Sequence, residues 1–409
     1  MVMTPEIPKL PLPSPLLGSE VGTFTEYTVT QRMPAIARRV IAENNYPENI
    51  NDCLKQLASE LPSEALSPLL HDTGVDFSAW VKYLEPFKGQ RWIDIPWFLA
   101  ETYFYRLILE ITNYFRPSEL QGVDPFQLQK NKGLETSLDS ITALCIQLNQ
   151  WLADAQKEEK LNKTALIGLL YFALWGNRVD LSLWSALESD RSRFDIQSQQ
   201  AHILLDDAAK VTELLASKGK RIDFVIDNAG FELVCDLCLV DFLLGSGIAN
   251  QVKLHLKAHP TFVSDAMIKD VLYTIEFLAA SSHQDVTSFA KRLQENIASN
   301  RLVLSEDYFW TSPLAFWEIP ESLKSDLSAA NLIVIKGDAN YRRLLGDRHW
   351  DFTTNFADII SYFSVPIVAL RTLKSEVVAG IKPEVIEQVA KSDSDWLTNG
   401  QWGVIQLVD

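Results

Sequence analysis

The stretch Ile222-Asp-Phe-Val-Ile-Asp-Asn-Ala-Gly-Phe-Glu232 joins a short apolar run to two polar residues, a glycine and the start of an apolar helical pattern. The apolar run predicts a strand, and the glycine before the next periodic segment predicts a turn into a helix. In open α/β sheets, ligands bind beyond the carboxyl ends of the strands. We therefore expect an α/β fold with Asp227 and Asn228 at the ligand-binding edge of its sheet.

The second half of the chain repeats this alternation of short strands and helices. Predicted helices cover 231–244 and 266–278, and predicted strands cover 222–226, 251–256, 301–304, 332–335, 365–370 and 403–408. Such alternation is typical of a largely parallel sheet with helices on both faces. We expect a three-layer α/β/α sandwich over residues 191–409.

The first half has a different pattern. Five prolines within residues 1–18 indicate an extended arm over 1–20, whereas residues 21–190 predict an all-helical domain. Its clearest helices are expected within 92–110, 133–152 and 162–175. We find neither a signal peptide nor an apolar stretch long enough to span a bilayer. We therefore expect a cytoplasmic location, no membrane association, and a monomer or weak oligomer.

Charge and cysteine content narrow the function classes. The 409 residues carry a formal net charge of −16, which disfavours nucleic-acid binding but allows a small anionic substrate at a local metal or basic site. Four cysteines are too few for a disulfide framework. Cys235 and Cys238 form a C-x-x-C pair without a second pair, so buried helical thiols are favoured over a zinc site.

Carboxylate and amide side chains follow two predicted strands. Asp227 and Asn228 follow the first, and Asp265 follows the second, just before a helix. Their oxygens are hard ligands suited to Mg or Mn. The alternative is that these residues are helix N-caps and turn residues, for which Asp and Asn are also suited.

Two later strands are followed by basic clusters. The first cluster is Lys336-Gly-Asp-Ala-Asn-Tyr-Arg342, expected on a loop, where Lys336 and Arg342 can meet phosphate oxygens. In the second, Arg371, Thr372 and Lys374 can face one anion together. Solvated turns and an exposed strand end are the alternatives. Ligand oxygens at two strand ends and cations at two more are what a metal-assisted phosphoryl reaction requires.

Several other enzyme classes are disfavoured by missing motifs. The chain has no phosphate-binding G-x-x-x-x-G-K-S/T loop, no G-x-S-x-G turn and no G-x-G-x-x-G after a strand. A D-x-D nucleophile pair is also absent, because Ala229 occupies the position of its second aspartate. None of the six histidines is favoured as a catalyst.

These motifs resemble those of the metal-dependent damage-control phosphatases. The branch in question includes a eukaryotic member also described as an acidic-residue (protein-glutamate) methyltransferase. The resemblance covers roughly residues 25–409 and is carried by the segments Trp97–Arg106, Leu174–Ser182, Asp227–Leu233, Phe262–Asp265, Lys336–Arg342 and Arg371–Lys374. Ala339, where the branch often has leucine, is a minor departure.

The resemblance implies a divalent metal (Mn, Co, Ni or Mg) bound by Asp227, Asn228 and Asp265. It implies hydrolysis of small sugar phosphates such as fructose 1-phosphate. Further residues implied to hold or border the substrate are Asp338, Asn340, Tyr341, Arg342, Lys374, Glu101, Asn177 and Asp180. Two alternatives stay open: an S-adenosylmethionine-dependent protein-glutamate O-methyltransferase, disfavoured by the missing glycine-rich loop, and a non-catalytic phosphometabolite-binding protein.

Overall fold

A computed structural model describes residues 8–69, 73–157, 162–176, 200–216 and 219–409. In the first half, a π-helical turn (Thr28–Arg32) joins the first two helices. The helices there are α1 (Phe24–Tyr27), α2 (Met33–Glu43), α3 (Glu48–Glu60), α4 (Phe77–Leu84), α5 (Trp97–Ile111), α6 (Gln127–Glu135), α7 (Leu138–Lys157) and α8 (Lys163–Trp175).

In its described residues, the second half contains seven strands. These are β1 (Ile203–Asp206), β2 (Lys220–Val225), β3 (Ala249–Lys257), β4 (Leu302–Asp307), β5 (Leu332–Lys336), β6 (Ile367–Thr372) and β7 (Gly403–Val408). The helices around them are α9 (Ala208–Leu214), α10 (Phe231–Gly245), α11 (Ile268–Ala279), α12 (Gln284–Ala298), α13 (Glu321–Leu327), α14 (Gly337–Leu345), α15 (Phe356–Ile359) and α16 (Pro383–Ser392).

The strands form one sheet in the order β1-β7-β6-β5-β2-β3-β4. Strands β4, β3, β2, β5 and β6 are parallel, whereas β7 is antiparallel to β6 and β1 is parallel to β7. From β2 the chain continues outward to β3 and β4, and it returns on the other side of β2 to form β5 and β6. The boundary between β2 and β5 is therefore the topological switch point, where such sheets bind ligands.

Side chains on each strand alternate between two cores. Leu332 and Val334 of β5 belong to a core that includes α7, α8 and α10, whereas Ile333 and Ile335 face a core with α2, α3 and α5. The sheet is thus covered on both faces, which confirms the predicted α/β/α layering. Within the described residues, helices from before residue 176 contribute to both cores. The predicted boundary at residue 190 lies in 177–199, outside the described residues, and stays a prediction.

The sheet is largely parallel, as predicted, with β7 and its parallel neighbour β1 running opposite to the other five strands. The structure corrects three details. Strand β1 was not predicted. The helix expected over 133–152 is two helices that meet at residues 136–137. The Lys336–Arg342 cluster is not a loop, because α14 starts at Gly337 directly after β5.

None of the helices in the described ranges is both long and apolar enough to cross a bilayer. Cys235 and Cys238 are buried thiols within α10.

Candidate active site

A polar cavity of about 300 Å³ lies at the switch point between β2 and β5. Asp227 and Asn228 follow β2, and Asp338 lies in the first turn of α14, just after β5. The residues that line the cavity are Arg32, Trp97, Glu101, Asp227, Asn228, Phe262, Ser264, Asp265, Asp338, Ala339, Arg342 and Lys374. Seven predicted site residues therefore meet in one place, although they are separated by up to 273 positions in the chain (Glu101 to Lys374).

Asp227, Asn228 and Asp265 are buried and adjacent. Asn228 pairs with Asp265 as an isolated antiparallel bridge, and the Ala266 N–H donates to the Asp227 carbonyl at 2.8 Å. The Asn228 amide donates to Asp227 Oδ2 at 2.8 Å and to Glu232 Oε2 at 2.8 Å. Asp227 Oδ1 has no hydrogen-bond partner among the described residues. One buried carboxylate oxygen is therefore left for a ligand.

The loop between β3 and α11 brings Asp265 to this position. Phe262 and Val263 have φ values of 47° and 66°, which non-glycine residues rarely adopt. Such backbone strain is held by surrounding structure and clusters at functional sites. Phe262 packs on Phe98 and Tyr105 of α5, so the first half of the chain helps to hold the loop.

Lys257, at the end of β3, forms a buried ion pair with Asp265. Its ammonium lies 3.1 Å from Asp265 Oδ2 and donates to the Trp310 carbonyl at 3.1 Å and to Asn340 Oδ1 at 3.3 Å. Burial lowers the pKa of Lys257 despite the nearby carboxylates. Sequence patterns did not indicate this residue, because lysine side chains are usually exposed to solvent.

Gly337 allows β5 to approach Asp227. Its φ is +80°, and a Cβ atom placed on it would lie 1.9 Å from Asp227 Oδ2. Any side chain at this position therefore collides with the carboxylate and also adopts an unfavourable backbone conformation. The glycine between Lys336 and Asp338 is thus a requirement of the site.

The carboxylates of Asp227 and Asp265 are costly to ionise in this buried cluster. Burial raises the pKa of Asp227 well above its usual range, and the carboxylates of Asp265 and Glu232 raise it further. Burial likewise raises the pKa of Asp265, against the opposing effect of Lys257. No group of three or more His, Cys, Asp or Glu side chains in the described part of the chain is arranged for a metal. Asp227, Asp265 and the amide of Asn228 nevertheless offer a hard-oxygen set that fits a divalent cation.

A buried ion cluster forms another part of the cavity wall. The Arg342 guanidinium donates to Glu101 at 2.5 Å and to the two oxygens of Asp347 at 2.7 and 3.1 Å. It also stacks on Trp97, with 3.5 Å between the guanidinium carbon and the ring centroid. Glu101 and Arg342 therefore hold each other in place at the cavity wall, and much of the charge of Arg342 is already compensated.

Asp338 is held by donors from β6 and the loop that follows it. Its Oδ1 accepts from Arg371 Nε at 2.9 Å, from the Lys374 N–H at 3.1 Å and from the Ser375 hydroxyl at 3.1 Å. Burial opposes its ionisation, but Arg371 and Arg342 together hold the pKa of Asp338 below its usual value. These contacts are all to Oδ1, so Oδ2 is the oxygen available to a cavity ligand.

Five predicted substrate-binding residues do not line the cavity: Lys336, Asn340, Tyr341, Arg371 and Thr372. Lys336 shares its strand face with Leu332 and Val334, so it points into the core beneath α8 and α10 and pairs with Asp236 at 3.1 Å and Glu232 at 3.6 Å. It also donates to the Ala173 carbonyl. Its predicted contact with phosphate is therefore corrected to a buried ion pair.

The other four serve as supports. Asn340 donates to the carbonyls of Ile226 and Lys336, at 3.2 and 2.9 Å, and so ties the ends of β2 and β5 together. Tyr341 donates to Gln406 at 2.7 Å. Arg371 stacks on Tyr341 and orients Asp338, and Thr372 is buried at the end of β6. Asn177 and Asp180 lie outside the described residues.

The fold and the cavity together define an α/β protein with a small, polar, oxygen-rich ligand site at the switch point of its sheet. A protein-family model, described as the damage-control phosphatase ARMT1-like domain, matches residues 28–389. The chain belongs to this family, which confirms the resemblance found in its motifs.

Several relatives are similar to this protein over nearly the whole length of the chain. Damage-control phosphatase ARMT1 of Rattus norvegicus is 33% identical, with 97% of this chain and 98% of that protein covered. The Homo sapiens protein of the same name is 33% identical, with the same coverage, and the Danio rerio protein is 32% identical, with 97% of both chains covered. Among solved structures, a DUF89 family protein from Pyrococcus horikoshii matches with a TM-score of 0.47 and 14% identity, over 93% of this chain and 97% of that chain.

Proposed function

We propose that this protein is a metal-dependent phosphatase that hydrolyses small phosphate monoesters, with sugar phosphates such as fructose 1-phosphate as its substrates. The observation that carries the proposal is the cavity at the switch point, which is lined by Asp227, Arg342 and Lys374 together. Oδ1 of Asp227 is buried and has no hydrogen-bond partner among the described residues. The names of the relatives support the same reaction class.

Asp227, Asn228 and Asp265 would hold the divalent cation (Mn, Co, Ni or Mg). When bound, such a cation neutralises charge on phosphoryl oxygens and lowers the pKa of a coordinated water. Lys257 fixes the Oδ2 atom of Asp265, and Glu232 fixes the Asn228 amide. The protein therefore supplies preorganised oxygen ligands that need little rearrangement when the cation arrives.

The cations of the cavity wall bind the phosphate oxygens that do not react. Lys374 offers an ammonium from the loop after β6, and Arg342 offers the N–H groups that Glu101 and Asp347 do not occupy. Asp338 Oδ2 accepts a hydrogen bond from the attacking water or from a substrate hydroxyl. A cavity of about 300 Å³ is within the usual size range of small-metabolite sites.

We further propose that water attacks the phosphorus atom directly. A new bond joins the water oxygen to phosphorus as the ester P–O bond breaks. The departing sugar oxygen takes up the proton that the water loses. Asp227 is poorly placed as the alternative nucleophile, because its Oδ2 accepts a hydrogen bond from Asn228 and its Oδ1 is the oxygen left to bind the cation. Neither oxygen is then free to attack phosphorus. A phosphorylated Asp227 trapped during a rapid-quench burst experiment would contradict direct attack.

The test of the reaction class is phosphate release from a panel of sugar phosphates after chelation and addition of each metal. Asp227→Asn should abolish release, and Asp139→Asn, which changes an exposed carboxylate on α7, should leave it unchanged. Release that is independent of metal, or that survives Asp227→Asn, would contradict the proposed site. If the folded protein releases no phosphate, carboxyl methylation by S-adenosylmethionine or binding without turnover replaces the proposal.

A further inference from the structure

Arg32 contributes a third cation to the cavity, from the first half of the chain. It is the last residue of the π-helical turn Thr28–Arg32, and its side chain is 48% exposed. Its only ion pair among the described residues is with Glu101 Oε1, at 4.0 Å. This guanidinium therefore keeps donors that can reach a ligand.

The π-helical turn has a cause in the sequence. Pro34 lies in the first turn of α2, where its ring would collide with the carbonyl of Thr30 in a regular α-helix. The turn widens before it, and the Met33 N–H bonds instead to the Thr28 carbonyl, five residues back. Single π-helical turns of this kind are frequent at functional sites. Here the widened turn ends at the residue that enters the cavity.

Glu101 divides its two oxygens between two arginines. Oε2 accepts from Arg342 at 2.5 Å, and Oε1 faces Arg32 without reaching hydrogen-bond distance. The space beside Oε1 thus offers donors from Arg32 and an acceptor from Glu101. A carboxylate so close disfavours a second anion, whereas a hydroxyl group can accept from the guanidinium and donate to the carboxylate.

We infer that Arg32 is a specificity-determining residue that binds, together with Glu101, hydroxyl groups on the sugar part of a phosphorylated substrate. The inference rests on the proposed function, because the phosphate itself must lie at Asp227 and Lys374. It predicts that the cavity binds phosphorylated sugars more tightly than phosphate esters that carry no hydroxyl groups.

The test uses two phosphonates that cannot be hydrolysed: the phosphonate analogue of fructose 1-phosphate, and methylphosphonate, which has no hydroxyl-bearing chain. Their dissociation constants are measured by calorimetry with Mn²⁺ for the wild-type protein, Arg32→Ala and the control Arg38→Ala. Arg38 is an exposed arginine on α2 that does not line the cavity. Unfolding temperatures verify that the variants are folded.

We expect Arg32→Ala to raise the ratio of the sugar-phosphonate constant to the methylphosphonate constant about tenfold, as for the loss of one charge-assisted hydrogen bond. Arg38→Ala should leave the ratio unchanged. A change below threefold, or equal affinity of the wild-type protein for both phosphonates, overturns the inference. If Arg32→Ala shows the expected change in the ratio but the wild-type protein hydrolyses no ester, the inference holds and the proposed hydrolysis fails.

Discussion

Replacement of Gly337 by alanine should disable the site while leaving the fold intact. The added Cβ would lie 1.9 Å from Asp227 Oδ2 and 2.2 Å from its Cγ, so the carboxylate must move by roughly 1 Å or more to reach an ordinary contact distance. A misplacement of about 1 Å can cost about 100-fold in rate. We therefore expect kcat/KM for phosphate release to fall about 100-fold, which corresponds to about 2.7 kcal/mol.

Gly89→Ala separates this collision from backbone strain. Gly89 has a φ of +79°, close to the +80° of Gly337, but no heavy atom lies within 4 Å of its would-be Cβ. Both variants should lose about 1–2 kcal/mol of unfolding free energy from the left-handed conformation. Only Gly337→Ala should lose activity and Mn²⁺ affinity. Activity of Gly337→Ala within threefold of that of Gly89→Ala would refute the argument that this close approach fixes Asp227.

Three further substitutions test the assignments of charged residues. Lys336→Met should lower the unfolding free energy by about 3–5 kcal/mol, measured in urea, because Asp236 loses its buried cation. A raised KM for phosphate esters with unchanged stability would instead support the phosphate contact predicted from the sequence. Lys374→Met should instead affect binding: KM for phosphate esters should rise about tenfold, while the unfolding temperature stays within about 2 °C of that of the wild-type protein. A KM equal to that of the wild-type protein would contradict a role of Lys374 in the site. Asp76→Asn should cost about 3–5 kcal/mol at neutral pH, because it breaks the buried pair with Arg106. Burial opposes ionisation of Asp76, but His259 and Arg106 hold its folded-state pKa below the unfolded value of about 3.9, so the cost should shrink as the pH falls below about 4. A cost that does not change with pH would exclude this ion pair as its source.

Local patterns predicted the parts of the site that follow strands. The β-branched run before Asp227 and the polar residues after it identify a strand end, and the pairing of β2 with β3 brings Asp265 beside it, as expected. Both inferences need only the period of a strand and the edge at which parallel strands end. The reversed direction of β7 depends on long-range pairing, which no local pattern contains.

Side-chain direction was the information that the motifs lacked. Lys336 and Asp338 are two positions apart, yet one enters the core beneath α10 and the other lines the cavity, because the strand ends and α14 begins between them. The roles of Lys257 and Gly337 depend on distances to residues far away in the chain. Arg32 was missed for the same reason, although Pro34 inside a helical pattern was a local sign of an irregular turn.

The proposed binding of a divalent cation by Asp227, Asn228 and Asp265 can be observed in crystals. Its most direct test is the anomalous scattering of Mn²⁺ in crystals of the chelated protein after the ion is restored. We predict one strong peak bounded by Asp227 Oδ1, the Asn228 side chain and Asp265, and no such peak in crystals of Asp227→Asn. A peak elsewhere in the cavity, or a peak that persists in Asp227→Asn, would contradict it.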